Sequence, residues 1–297
     1  MDHEELRIDI INSSVMRKTV YDLIPENASR ILDVGCGRGG ILLRLQRDKN
    51  CTELFGVDID KDAILKLDQF IDHASASNIE TEEILPKEFE GHFNYIIMHD
   101  VVEHLFDPWF TLTRIRPFLA ENGVAIISTP NLHYWKLQHE IMSGRFSYGP
   151  GLMHAGHLRW YTPSSLLTVL EIGGFSTQEY YQVLVDAESL QKLGTVKEIK
   201  TVQFPPAELQ DKYPDLPIYS VEYPKDIRAY YPTFYTHKLI AVCTKGNLIW
   251  KPAPLTYNCA LLHKLTKEVN NPFDIFNPLP TRLLKLSQFQ EETYKPA

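Results

Sequence analysis

"DVGCGRGG", Asp33–Gly40, follows the apolar pair Ile31-Leu32 and runs into Ile41-Leu42-Leu43. An apolar run that breaks on glycines and resumes as an apolar helical pattern reads as strand, tight turn and helix. Glycines there let the backbone come close to a ligand, and the helix start offers N–H groups without intrahelical partners. Two spacings fit at once. Gly35, Gly37 and Gly40 form G-x-G-x-x-G, while Gly35, Gly37 and Gly39 form the tighter G-x-G-x-G.

Outward from this turn, to about residue 185, short apolar runs alternate with helical patterns, as in strand–helix–strand units around a parallel sheet. Ile31–Val34 reads as the first strand and Leu54–Asp58 as the second. Ala63, Ile64, Leu67, Phe70 and Ile71 then fall on one face of an amphipathic helix. Phe93–Met98 is a buried strand. Asp107-Pro108 opens a helix, with Asp as N-cap and Pro first in the helix. Gly123–Thr129 is the next strand, and Thr162-Pro163 opens a helix that closes at Gly173-Gly174. The character then changes. Twelve of the 19 prolines and ten of the 15 tyrosines lie at or beyond Tyr180, so long helical periods are scarce there. "THKLIAVCTK", Thr236–Lys245, reads as one last strand. The expected organisation is a domain at 1–245 with an insertion at 186–235, followed by a C-terminal extension at 246–297.

Composition narrows the class. The chain of 297 residues can bury a large core, and its 44% hydrophobic and 23% charged residues are ordinary for a soluble protein. A net charge of −8 argues against a polyanionic partner such as nucleic acid. No apolar run reaches the length of a membrane span, and the acidic start "MDHEELRIDI" lacks the regions of a signal peptide. Cys36, Cys51, Cys243 and Cys259 show no C-x-x-C spacing, so neither a zinc site nor a disulfide framework is indicated. The simplest setting is the cytoplasm.

Charge also chooses between ligands for the glycine turn. Asp58, at the end of the second strand, is placed to accept from a ribose diol under either spacing. Asp33, two residues before the first glycine, would repel a pyrophosphate. It suits a cationic ligand, and S-adenosylmethionine carries an ammonium, a sulfonium and no phosphate. The ordered set "ILDVGCGRGG", "LFGVDID", "FNYIIMHDVVEHLFDP" and "GVAIISTPN" resembles the class I S-adenosylmethionine-dependent methyltransferases over roughly residues 15–185. It is most similar to the broad group of ubiquinone-pathway, sugar and natural-product O-methyltransferases.

The resemblance implies a Rossmann-like, doubly wound α/β sheet of seven strands with the last one antiparallel. It also implies a pocket in which Gly35, Cys36, Gly37 and Gly39 surround the methionine part above Asp33. Asp58 would take the ribose hydroxyls, Ile59 would pack on adenine, and Met98 and His99 would face the methionine end. The usual Asp-Ala or Asp-Val pair after the third strand is not found in "NIETEEILPKEFEGHF", so the adenine contact there stays unassigned.

Methyl transfer to oxygen needs alignment and a proton acceptor. Six of the 11 histidines lie between His99 and His157, which makes that stretch the place to seek the base. His157 and His154, in the Gly-rich aromatic segment "YGPGLMHAGHLRWYTP", are the first candidates, with His104 next. The segment is expected to cover the acceptor. Asp100, Glu103 and His104, with a later histidine such as His157, resemble a divalent-metal set found in small-RNA 2′-O-methyltransferases and some ubiquinone-pathway enzymes, but the first acid is Asp in place of Glu and no second histidine directly follows His104, so no metal is assigned. The leading expectation is O-methylation of a small molecule or a sugar or glycan. A metal-assisted RNA 2′-O-methyltransferase and a non-catalytic binding subunit of the same fold are the alternatives. The acceptor's identity and the oligomeric state stay open.

Overall fold

The computed structural model describes residues 2–13, 18–142, 146, 148–149, 151–184 and 233–248. The expected insertion at 186–235 and extension at 246–297 lie outside the described residues, apart from 233–235 and 246–248. Two helices, α1 (His3–Ser13) and α2 (Lys18–Leu23), precede β1 (Ser29–Val34). Then follow α3 (Gly40–Lys49), β2 (Thr52–Asp58), α4 (Lys61–Leu67), β3 (His73–Ala76) and β4 (Phe93–His99). The chain continues through α5 (Pro108–Ile115), β5 (Leu119–Pro130), α6 (Trp135–Met142), α7 (Pro163–Ile172), β6 (Phe175–Leu184) and β7 (Thr236–Lys245).

The strands form one seven-stranded sheet in the order β3-β2-β1-β4-β5-β7-β6. β1 runs parallel to both β2 and β4, with Leu32 opposite Phe55 and Ile96, and both faces are covered. Ile31, Leu32, Val34, Leu54, Val57, Ile96 and Ile97 are accordingly all buried, as a parallel sheet between helices requires. β7 runs antiparallel. Its end meets the start of β5, where Lys245 Nζ donates to the Leu119 carbonyl at 2.9 Å. Its start meets the end of β5, where Asn131 N donates to the His237 carbonyl at 3.0 Å. Against β6 the order is again reversed, with Thr177 beside Cys243 and Gln182 beside Thr236. The sheet order reverses between β1 and β4. Ligands in open α/β sheets sit at that point, beyond the carboxyl ends of the strands.

Two elements differ from their sequence patterns. The helical face read through Ile71 stops at Leu67, because the chain must turn back to start β3. Phe70 N bonds the Leu67 carbonyl, and Asp72 caps the turn by accepting from Leu54 N at 2.8 Å. β5 begins at Leu119 instead of Gly123. The register jumps from Phe93↔Leu119 to Tyr95↔Val124, so the polar residues between them bulge from the ladder.

The described residues fall into two compact units. One holds those from Met1–Thr129, Pro163–Tyr181 and Leu239–Thr256, the other those from Pro130–Thr162 and Gln182–Lys238.

Candidate functional site

In the first unit the glycine turn leaves β1 and enters α3 with Gly35, Gly37 and Gly39 all at positive φ (73°, 54° and 77°). The three glycines have different neighbours. A Cβ on Gly39 would lie 2.2 Å from Leu67 Cδ1, and one on Gly35 would lie 2.5 Å from Val101 Cγ2. A Cβ on Gly37 would meet no protein atom within 4 Å. Two glycines are thus demanded by packing, and Gly37 alone of the three faces open space. The turn is bolted to β2: Gly35 N and Cys36 N both donate to the Val57 carbonyl, at 2.7 and 3.1 Å. Cys36 is buried beneath it.

Asp58 completes this rim. One carboxylate oxygen accepts from Gly37 N at 2.6 Å and the other from Asp60 N at 2.9 Å. Asp60 caps α4 by accepting from Asp62 N and Ala63 N. Beside it, Ile59 is 69% exposed, a large apolar side chain left in water at the edge of the turn. Asp33 is fully buried at the end of β1. A carboxylate in that position needs donors or a cation near it. The turn thus sets an open backbone at Gly37 beside the Asp58 carboxylate and the exposed Ile59 side chain.

The turn after β4 supplies the next residues. Met98 and His99 are buried, and Asp100 sits in the left-handed region at φ 57°. That conformation is uncommon for a residue with a side chain and clusters at functional sites. No sequence pattern announced it. Asp100 Oδ1 accepts from the Ser128 hydroxyl at 3.2 Å, and Oδ2 lies 3.1 Å from His99 Nδ1. Glu103 is buried and His104 exposed, in a short 3-10 turn at Val102–His104. Asp100, Glu103 and His104 thus differ in burial, from partly buried through buried to exposed.

The second unit holds the other two candidate bases, His154 and His157. His157 is buried, and its Nδ1 lies 3.0 Å from the Leu152 carbonyl. A carbonyl only accepts, so Nδ1 carries the proton and Nε2 is the basic nitrogen of the neutral ring. His154 is arranged the other way. Its Nδ1 accepts from Gly156 N at 3.1 Å, which assigns its proton to Nε2. The two rings lie 5.7 Å apart, with Trp160 5.6 Å from His157. Phe146 and Tyr148 add exposed aromatic faces, and Phe146 touches Trp160 edge-on at 5.7 Å. The end of the segment is fixed where Leu132 N donates to the Tyr161 carbonyl at 2.7 Å. The opposed proton assignments of His154 and His157 could not be seen in the sequence, since they depend on which backbone group each ring meets.

A family profile described as a methyltransferase domain matches residues 11–180, more than half of the chain. The ubiquinone biosynthesis O-methyltransferase of Bradyrhizobium diazoefficiens is 32% identical over 143 residues, covering 44% of this chain and 52% of that one. The ubiquinone biosynthesis O-methyltransferase of Azorhizobium caulinodans is 27% identical over 190 residues, covering 61% and 73%. The chain thus spans about half the length of the first of these relatives. A solved S-adenosylmethionine-dependent methyltransferase from Archaeoglobus fulgidus has a TM-score of 0.52 at 17% identity, covering 82% of this chain and 95% of that one. At that identity the likeness concerns the fold.

Proposed function

The chain belongs to the class I S-adenosylmethionine-dependent methyltransferases, and from that premise we propose that it methylates an oxygen of a small-molecule acceptor. The donor, when bound, supplies a methyl group already activated on a sulfonium. The observation that carries the donor assignment is the rim formed by Gly37 and Asp58, open to solvent at the glycine and acidic beside it. Asp58 takes the ribose diol, Ile59 takes a face of adenine, and the buried Asp33 favours the cationic methionine end. Gly35, Cys36 and Gly39 shape the backbone around it, and Met98 and His99 lie toward the methionine.

The two relatives named as ubiquinone biosynthesis O-methyltransferases support attack by oxygen on a small molecule. His157 is assigned as the base, because its basic nitrogen is the one turned away from the Leu152 carbonyl. His154 and then His104 follow it as candidates. The acceptor's O–H bond breaks as the new O–C bond forms, and the proton passes to Nε2. The exposed rings of Phe146 and Tyr148 suit an aromatic acceptor or a sugar face. The acidic balance of −8 disfavours RNA as acceptor.

The test is S-adenosylhomocysteine release with S-adenosylmethionine and panels of phenolic, sugar and RNA acceptors, beside calorimetric titration of S-adenosylhomocysteine. Binding in the micromolar range, about −8 kcal/mol, is expected. Tight NADH binding without any response to S-adenosylhomocysteine would sink the reading.

A further inference from the structure

The loop after β3 and the turn after β4 are clasped together by two side chains of opposite charge. Glu80 accepts from Phe106 N at 3.1 Å and from Asp107 N at 2.7 Å, one backbone donor on each carboxylate oxygen. Asp107 in turn accepts from Phe110 N and caps α5. At the other end of α5, the Arg114 guanidinium donates to the Ile79 carbonyl at 2.6 Å and also to the Glu82 carbonyl. Bonds to ionised groups are shorter and stronger than neutral ones, so this clasp outranks an ordinary loop contact.

The two joined segments have different duties. The β3 loop begins at Ser77, whose N–H donates to the Asp58 carbonyl at 2.9 Å. Its hydroxyl donates to the Glu83 carbonyl at 2.8 Å, and Asn78 N donates to the Glu82 carboxylate at 2.7 Å. The loop is therefore tied to the same residue that forms the acidic rim of the glycine turn. The β4 turn carries Asp100, Glu103 and His104. Its start is held to β5 through Asp100 N and the Ser128 carbonyl at 3.1 Å, and its far end is held by Glu80.

We propose that Glu80 is a positioning residue for methyl transfer: it makes the turn at 100–107 respond to occupation of the Asp58 rim, and so sets His104, a candidate base, for the acceptor. The proposal rests on the donor assignment above. It needs Glu80 for its two acceptor oxygens and for its position between the segments.

Hydrogen exchange read by mass spectrometry tests it, on the full chain as wild type, Glu80→Ala and Glu80→Gln, with and without S-adenosylhomocysteine. In the wild type the ligand should slow exchange both at the glycine turn and at 100–107. In Glu80→Ala the slowing at the glycine turn should persist, while that at 100–107 should fall by about fivefold or more. Glu80→Gln keeps the shape and one acceptor oxygen, and should lie between the two. Equal ligand-induced slowing of the turn in wild type and Glu80→Ala would overturn the proposal. If Glu80→Ala fails to fold, Glu80→Gln decides, and wild-type coupling in it overturns the proposal equally. Slowing at neither segment in the wild type would instead remove the donor assignment, and this inference with it.

Discussion

Asp58 spends one lone pair of each oxygen on the backbone of Gly37 and Asp60. A carboxylate has about four acceptor sites, so both oxygens can still accept from a diol. Replacing it with alanine should weaken S-adenosylhomocysteine binding by about 1–3 kcal/mol, roughly 5- to 150-fold by calorimetry. An unchanged affinity would move the ribose elsewhere. His157 makes the opposite kind of prediction. With an acceptor in hand, His157→Ala should lower turnover by about 10²- to 10⁴-fold and leave S-adenosylhomocysteine affinity unaltered. Normal turnover would reduce His157 to a packing residue and pass the role to His154. The sequence disclosed the strand, the glycine turn and the helix after it because spacing is a local property. It did not disclose the left-handed Asp100, the two opposed imidazole proton assignments or the Glu80 clasp. Each depends on which backbone group a side chain meets or on one backbone angle.

The glycine turn shows how an element divides its duties among identical residues. Gly39→Ala would press a methyl group into the side chain of Leu67, which is fully buried at the end of α4. Overpacking of about 1–3 kcal/mol adds to about 1–2 kcal/mol for the left-handed backbone, and a large fall in melting temperature is expected. Gly37→Ala bears only the backbone part, about 1–2 kcal/mol, because its methyl group meets no protein atom. It should fold yet bind S-adenosylhomocysteine far more weakly. Equal melting temperatures for the two variants would refute this division. Elements whose burial is regular were legible: β1, β2, β4, the Asp107-Pro108 helix start and the Gly173-Gly174 stop all stand where their patterns put them. β3 was not. "HASA" is a short edge strand with none of its four residues buried, so it carries no alternation to detect.

At the scale of the whole molecule, the thiols and a phenol set an alkaline limit on stability. Cys243 lies on β7 with no exposed surface, and burial pushes its thiol up to about 12, the Thr177 hydroxyl only partly opposing this. Burial also raises Cys51 and Tyr180. A thiol raised from its ordinary value of 9.0 is protonated in both folded and unfolded chains below pH 9, and there its contribution is complete. As pH climbs from 9 towards 12, the unfolded chain releases a proton that the folded chain retains. Stability then falls by about 1.4 kcal/mol per pH unit for each such group. Charges on the exposed surface also change in this range, but they change alike in a variant lacking one thiol. Urea unfolding of wild type and Cys243→Ala, each at pH about 8 and about 10.5, isolates the difference. The variant should be weaker at the lower pH because it leaves a cavity, yet lose about 2 kcal/mol less than wild type on going to the higher one. Parallel losses in the two proteins would mean that the Cys243 thiol ionises in place, which a side chain enclosed by β6 and β7 should not permit.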